Sequence, residues 1–246
     1  MPTPKAGYFL ADGSRVPGVT TVLDAAKESG GLMHWAWNIA HGGLLEARAL
    51  LRQAKDGEPG VNDKIAKFLS RPLDDWSYRV KRDKAADAGT MAHAAVDAWI
   101  HGENFAFEGD PDVCSKAKVA FGAFLEWADQ TQLKVTHTEM PLVSEKHKFG
   151  GTFDAIMVRG KRSMGDWKTS NATYPEYMMQ VAAYGQLWME NRPDEPIEGG
   201  YHLLRFDKEQ GDFHHHWWGN LDTAWEAFLL LRRLYEIKKE LKKRAA

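Results

Sequence analysis

Between positions 150 and 184 the chain reads GGTFDAIMVRGKRSMGDWKTSNATYPEYMMQVAAY, and this stretch decides the fold. Its first part alternates apolar and polar residues, with Phe153, Ala155 and Met157 on one predicted face, which is typical of a half-buried strand. Gly160 and Lys161 then form a predicted turn, and 163–168 is a second predicted strand. The stretch therefore predicts a hairpin.

Two carboxylates and a lysine are predicted to converge on this hairpin. Strand side chains alternate between faces, so Asp166 and Lys168 share a face about 7 Å apart along the strand. Across the ladder, Asp154 can meet Asp166. Carboxylates so close repel each other unless a cation holds both ionised, and Mg²⁺ suits that role beside water and phosphate. For Asp-x-Lys alone, the alternative is the charged end of a solvated hairpin.

A helix is predicted after the hairpin. Pro175 suits a first helical position, and apolar residues follow at helical spacing. Gln180 lies within this apolar stripe, with Tyr184 one turn later on the same face. A buried glutamine needs hydrogen-bond partners, so it either faces a polar site or lies at the edge of the stripe.

Gly-x-x-Asp, Asp-x-Lys and Gln-x-x-x-Tyr in this order resemble the RecB-like branch of the PD-(D/E)XK nuclease superfamily. Upstream, Gly89-Thr90-Met91-Ala92-His93 resembles the Gly-Thr-x-x-His helix start of that branch. The resemblance implies an α/β fold with a restriction-endonuclease-like core, in which helices flank a mixed central sheet. The implied order is helix, three strands, helix, strands, helix, after a helical N-terminal region.

The resemblance also implies roles for individual residues. Lys168 is expected to position the attacking water, and Gln180 and Tyr184 to complete the catalytic set. Glu139 lies in the first core strand, 134–143, on a predicted face with Val135, His137 and Val143; it is either a further metal ligand or part of a surface salt bridge. The implied ligands of Mg²⁺ or Mn²⁺ are His93, Asp154, Asp166 and the backbone carbonyl of Trp167.

Nucleic-acid contacts are expected around the same motifs. Thr169 and Ser170 are candidates for phosphate contacts, and Arg79 and Arg82 belong to a basic cluster just before the histidine helix. Unpaired bases can stack on aromatic side chains, which makes Tyr174, Trp167 and Trp217 candidates. The run His214-His215-His216 is not expected to hold one ion, because adjacent strand residues face opposite sides.

Length and composition restrict the class of protein. A chain of 246 residues with 43% hydrophobic residues supports one well-packed domain, which we divide into an N-terminal region, 1–84, and a nuclease core, 85–246. Net charge of −2 argues against strong nonspecific DNA binding. The single Cys114 excludes an intrachain disulfide and a four-cysteine iron–sulfur cluster. With neither an apolar run of membrane-spanning length nor a signal-peptide pattern, cytoplasm is expected and a membrane partner is not.

The smaller elements are predicted from local signals. They comprise a hairpin around Asp12-Gly13, helices over 32–51, 63–69, 76–84 and 112–128, a hairpin around Glu209-Gln210-Gly211, and a last helix after Asn220.

The resemblance implies a metal-dependent DNA nuclease. Similarity to phage recombination and mitochondrial genome-maintenance exonucleases favours an exonuclease acting on single-stranded DNA ends, in the replication, recombination or repair of a phage or bacterium. Partner proteins from those processes are then expected. The alternatives are a structure-specific endonuclease or nickase of the same fold, and a nucleic-acid-binding scaffold without catalysis.

Overall fold

The computed structural model describes residues 4, 6–26, 30–72, 77–132, 134–170, 172–206 and 213–245, with the backbone alone for 30–35, 158 and 159. The chain forms two compact units, residues 28–87 and residues 1–27 together with 88–246. The predicted turn Glu209-Gln210-Gly211 and the predicted helix start at Trp76 lie outside the described residues. The predicted division at 84/85 stays a prediction.

Seven strands and seven α-helices occur in the described part of the chain. In chain order they are β1 Tyr8–Phe9, β2 Arg15–Val16, α1 Val19–Leu23, α2 Gly30–Lys55, α3 Val61–Leu69, α4 Tyr78–Ile100, α5 Pro111–Thr131, β3 Lys134–Ser144, β4 Phe149–Arg159, β5 Lys161–Lys168, α6 Pro175–Asn191, β6 Tyr201–Phe206, β7 Phe213–Trp218 and α7 Asp222–Arg244.

The larger unit is built on one five-stranded mixed sheet in the order β3-β4-β5-β6-β7. Only the β5–β6 pair is parallel; the other three pairs are antiparallel. A parallel pair needs a crossover, and α6 provides it between β5 and β6. The predicted mixed α/β fold class is confirmed, and so is the predicted order of helices and strands.

Hydrophobic clusters cover both faces of the sheet. One cluster joins the sheet to α1, α6 and α7, and the other joins it to α4 and α5. The first contains Phe153 and Ile156, whereas the second contains Ala155 and Met157. The predicted common face for Phe153, Ala155 and Met157 is therefore wrong, because the alternation of β4 shifts at Asp154. The strand is buried on both faces rather than half-buried.

The neighbouring strand β3 is irregular. Val135 and His137 pair with adjacent residues of β4, so the extra residue between them turns their side chains to opposite faces. Farther along, Glu139 has φ +47°, in the left-handed region that side chains other than glycine rarely adopt. The predicted shared face of Val135, His137, Glu139 and Val143 is wrong for this reason.

The predicted N-terminal hairpin is confirmed and packs on the start of β4. Tyr8 lies directly over Gly150, where a Cβ atom would collide with its ring. The Tyr8 hydroxyl is 3.0 Å from Thr152 Oγ1, and Gly150 N donates to Pro17 O at 3.0 Å. Glycine at position 150 is thus needed for close packing at the strand that carries Asp154.

The smaller unit consists of α2, α3 and the first turns of α4. Arg71 binds Glu46 through two hydrogen bonds, of 2.9 and 2.6 Å. Large apolar side chains on this unit are exposed, namely Trp37, Leu44, Leu45, Leu51 and Leu69. Among the helices that the structure describes, none has the length and hydropathy needed to span a membrane.

Candidate functional site

Asp154 and Asp166 lie on adjacent strands with both carboxylates buried. The paired residues of β4 and β5 run from Arg159–Lys161 to Ala155–Gly165, and Asp154 and Asp166 directly adjoin the last of these pairs. Trp167 N donates to Asp154 Oδ2 at 2.7 Å. Each carboxylate also affects the pKa of the other. The structure therefore brings the two predicted acids together.

Lys168 forms an ion pair with Asp166. Burial raises the pKa of Asp166 to about 7, because it outweighs the opposing effect of the Lys168 ammonium group. For Lys168, burial works towards a lower pKa, but Asp166 and Asp154 outweigh it and raise the pKa. Lys168 Nζ also lies 5.2 Å from the centre of the Tyr177 ring. The lysine is consequently held in its charged form.

His93 reaches the two acids from α4. Gly89, one turn earlier, lies so close to Thr169 that a Cβ atom would come within 2.6 Å of Thr169 Oγ1. This close approach brings His93 Nδ1 to 3.9 Å from Asp154 Oδ1. Burial, followed by the charge of Lys168, lowers the pKa of His93 to about 4. The imidazole is therefore neutral near pH 7, which is the form that binds metals.

Glu139 approaches Asp154 from the neighbouring strand, β3. Its pairing neighbours are Thr138, opposite Ala155, and Met140, opposite Phe153, so Glu139 stands level with Asp154. Burial and then the charge of Asp154 raise the pKa of Glu139 to about 7. Its left-handed backbone is energetically unfavourable, and strain of this kind concentrates at functional sites.

His93, Glu139 and Asp154 can hold a metal ion. One ligand atom from each residue lies within 4.8 Å of the other two. His93 Nδ1, Glu139 Oε2 and Asp154 Oδ1 are buried and have no hydrogen-bond partner among the described residues, and the same is true of Asp166 Oδ1. Buried polar atoms are normally paired, so this group of unpaired atoms fits a bound cation. Two or three carboxylates with one imidazole suit Mg²⁺ or Mn²⁺. Trp167, whose carbonyl is a predicted ligand, lies beside this group, since its backbone N–H donates to Asp154.

Gln180 and Tyr184 lie on α6 behind the two acids. Gln180 Nε2 donates to the Tyr184 hydroxyl at 2.8 Å, and both side chains are buried. A Cβ atom on Gly151 would come within 2.7 Å of the Tyr184 ring. Burial and the charges of Asp166 and Asp154 raise the pKa of Tyr184 well above its ordinary value, so the phenol stays neutral.

The residues that are predicted to contact nucleic acid lie in different environments. Ser170 Oγ donates to Ala172 O at 2.7 Å. Tyr174 and Trp217 are partly exposed, at 43% and 58%. Trp167 is buried against Phe124, on the opposite face from its neighbours Asp166 and Lys168, so the prediction that its ring stacks on bases is wrong. Thr169 faces Gly89, as described above.

The two arginines that are predicted to contact nucleic acid, Arg79 and Arg82, belong to the smaller unit. Arg79 and Arg82 are exposed there, and Arg82 pairs with Asp83 at 2.6 Å. Their contact with nucleic acid stays a prediction.

The three consecutive histidines of β7 have separate neighbours. His215 lies 2.8 Å from His202, nitrogen to nitrogen, whereas His216 Nε2 lies 3.1 Å from Thr173 Oγ1. The prediction that they do not share one ion is consistent with this arrangement.

Sequence patterns did not indicate Arg205, which the structure places beside the site. It is buried on β6, where it pairs in register with Lys168. No motif includes it, and the parallel pairing of β5 with β6 is the signal that would have been needed.

Comparisons with solved structures give distant likenesses. A protein provisionally named an exonuclease, from Eubacterium rectale, is 11% identical over 62% of this chain and 68% of its own, with a TM-score of 0.45. An alkaline exonuclease from Laribacter hongkongensis is 16% identical over 66% of this chain and 90% of its own, with a TM-score of 0.33. No family model matches the sequence, and no curated protein does. Because these TM-scores are below 0.5, function is inferred from the site alone.

Proposed function

We propose that this protein is a divalent-metal-dependent DNA nuclease of the RecB-like PD-(D/E)XK type, acting as an exonuclease on single-stranded ends. The observation that carries the proposal is the convergence of His93, Glu139 and Asp154, with unpaired ligand atoms within 4.8 Å of one another, beside the Asp166–Lys168 pair. Neutral imidazole, several acids and a charged lysine together suit hydrolysis of a phosphodiester.

The chain's own residues have distinct parts in the proposed reaction. Bound Mg²⁺ or Mn²⁺, held by His93, Glu139, Asp154 and Asp166 with the Trp167 carbonyl, would supply Lewis acidity at the phosphate. Lys168 keeps its proton, so it donates a hydrogen bond to the attacking water or to a phosphate oxygen. Attack forms a new P–O bond and breaks the bond to the 3′ oxygen, leaving a 5′ phosphate and a 3′ hydroxyl. Gln180 and Tyr184 fix the position of β4 behind the acids.

Cleavage of end-labelled single-stranded DNA tests this proposal. With Mg²⁺ or Mn²⁺ the protein should degrade the strand, and EDTA should stop it. Lys168→Ala should reduce the rate by at least about 100-fold, as expected for loss of a donor that stabilises the transition state. Lys161→Ala is the matched control, because Lys161 is an exposed lysine on the same strand. Equal loss of activity in both variants would contradict the assigned role of Lys168.

Closed circular DNA separates the alternatives. An exonuclease degrades linear single strands and leaves closed circles intact. A nickase converts supercoiled duplex circles to relaxed circles, and a structure-specific endonuclease cuts circles that carry its branched or looped substrate. A protein that binds DNA but is inert with Mg²⁺ and Mn²⁺ would be a scaffold. In the proposed setting the enzyme acts in the cytoplasm of a bacterium, on host or phage DNA, with partner proteins of replication, recombination or repair.

A further inference from the structure

Arg205 is a buried cation next to the proposed catalytic lysine. It is 6% exposed and pairs with Lys168 across the parallel strands β5 and β6. Paired residues on adjacent strands lie about 5 Å apart and project to the same face of the sheet. The side chains of Arg205 and Lys168 therefore leave neighbouring strands at the same level and on the same face of the sheet.

The charge of Arg205 is not neutralised within the described residues. Its one described hydrogen bond is from Nη1 to the Ser170 carbonyl oxygen, at 3.1 Å. The nearest catalytic acid on β5, Asp166, is already paired with Lys168. A buried charge without a counterion destabilises the folded protein. The Ser170 carbonyl oxygen could accept a hydrogen bond from a neutral donor instead, so this bond alone does not require an arginine. Within the described residues, Arg205 thus has a charge and hydrogen-bond donors that a further ligand could use.

The surroundings of Arg205 supply further donors. His214 pairs with Arg205 on β7, and His216 lies two residues farther along that strand, with its Nε2 atom 3.1 Å from Thr173 Oγ1. Ser170 and Thr173 belong to the connection that follows Lys168. An arginine with imidazole and hydroxyl groups beside it is suited to an anion with several oxygens, above all a phosphate.

We propose that Arg205 binds a backbone phosphate of the substrate strand adjacent to the phosphate that is cleaved. This inference rests on the proposed nuclease function and adds a substrate-positioning residue to it. Lys168 serves the reacting phosphate, and Arg205 fixes the neighbouring one, so that the strand lies along the ends of β5 and β6. The substrate backbone would supply the counterion that Arg205 lacks among the described residues.

Binding of a short fluorescein-labelled oligothymidylate, followed by fluorescence anisotropy with Ca²⁺ in place of Mg²⁺, tests the inference. Arg205→Gln should weaken binding about 10-fold and reduce the slope of log K against log salt by about 0.7, the value for one phosphate contact on a single strand. A purely structural arginine would leave that slope unchanged. Arg162→Gln is the matched control, since Arg162 lies on the same strand as Lys168, at its other end, and pairs with Glu195 at 2.8 Å.

Three outcomes are informative. An unchanged affinity and salt slope in Arg205→Gln would overturn the inference while leaving the nuclease proposal intact. Failure of the wild type to bind or cleave the oligonucleotide would overturn both. If thermal denaturation shows that Arg205→Gln does not fold, Arg205→Met, which buries no unpaired amide, replaces it, and the same loss of salt slope is expected.

Discussion

Asp154 and Asp166 are chemically identical and equally buried, yet their partners differ. Asp166 is the counterion of buried Lys168, whereas Asp154 accepts one backbone hydrogen bond and its second oxygen has no hydrogen-bond partner in the part of the chain that the structure describes. Without metal, Asp166→Asn should therefore cost about 3 kcal/mol, because it leaves a buried charge unpaired. Asp154→Asn should change stability by less than about 1 kcal/mol, because an amide oxygen keeps the Trp167 bond.

Thermal denaturation in EDTA measures this difference. The two variants should differ by about 2–3 kcal/mol, so at about 2–4 °C per kcal/mol for a chain of this size Asp166→Asn should melt about 4–12 °C below Asp154→Asn. Equal melting temperatures would show that the Asp166–Lys168 pair does not stabilise the folded protein.

Glu139 should make stability depend on pH in the metal-free protein. Its pKa rises from 4.5 to about 7 on folding, so the protonated form is favoured in the folded state. That contribution is fully present below the unfolded value of 4.5 and is lost as pH rises through about 7. Glutamine does not ionise, so Glu139→Gln removes the free-energy cost of a buried carboxylate. Compared with wild type, the variant should therefore gain more stability at pH 8, where Glu139 is ionised, than at pH 5.

Urea denaturation of wild type and Glu139→Gln at both pH values, in EDTA, checks this expectation. Comparing the two proteins cancels the contributions of ionisable groups that behave alike in both. A difference between the variants that stays constant from pH 5 to pH 8 would mean that Glu139 titrates normally.

At the scale of elements, two glycines should respond oppositely to the same substitution. A Cβ atom at Gly151, where β4 meets α6, would lie within 3.0 Å of Tyr184, Val19 and Leu187. Gly151→Ala should therefore cost about 1–3 kcal/mol through overpacking. Gly122 in α5 has open space around it, so Gly122→Ala should gain about 0.5–1 kcal/mol from helix propensity.

Melting temperatures of the two variants measure both effects. The cleavage rate should fall in Gly151→Ala as well, because this strand carries Asp154. A neutral Gly151→Ala would show that α6 does not pack on β4 as closely as described.

Local sequence signals predicted most of the elements but not their distortions. Pro175 begins α6 as predicted, and the Asp12-Gly13 turn closes the first hairpin. These signals depend on a few neighbouring residues. The left-handed backbone of Glu139 could not be predicted, because glutamate has no preference for that conformation and tertiary contacts impose it.

In the candidate site too, local signals predicted some residues, and others depend on tertiary structure. Motif spacing predicted Asp154, Asp166, Lys168 and His93 together, because the acids and lysine share one hairpin and His93 belongs to a recognisable Gly-Thr-x-x-His motif, which lies inside α4 rather than at the predicted helix start. Arg205 lies 37 positions after Lys168 in the sequence and becomes its neighbour only through the parallel pairing of β6 with β5. Such pairing depends on the whole sheet, and no local pattern reports it.

At the scale of the whole molecule, a bound cation should stabilise the fold. At a concentration about 100 times its Kd, Mg²⁺ or Mn²⁺ should contribute about 2.7 kcal/mol, or a rise of about 5–10 °C in Tm. The rise should be larger at pH 8 than at pH 6, because the metal binds ionised carboxylates and the pKa values of Glu139 and Asp166 are about 7.

Differential scanning fluorimetry with and without the metal measures this stabilisation. His93→Ala and Asp154→Asn should lose most of the rise. His101→Ala is the control, since His101 directly follows the helix that carries His93, lies outside the ligand group, and is exposed. A full metal-induced rise in His93→Ala would place the cation elsewhere.

The unfavourable backbone of Glu139 has a consequence for laboratory evolution. A library selected for survival at high temperature, with no requirement for DNA cleavage, should accumulate Gly or Asn at position 139 early, since both residues tolerate the left-handed conformation and neither bears a charge. Heat-resistant clones from such a library would be enriched in inactive enzymes. Resistance to heat and catalytic competence would then compete at a single codon.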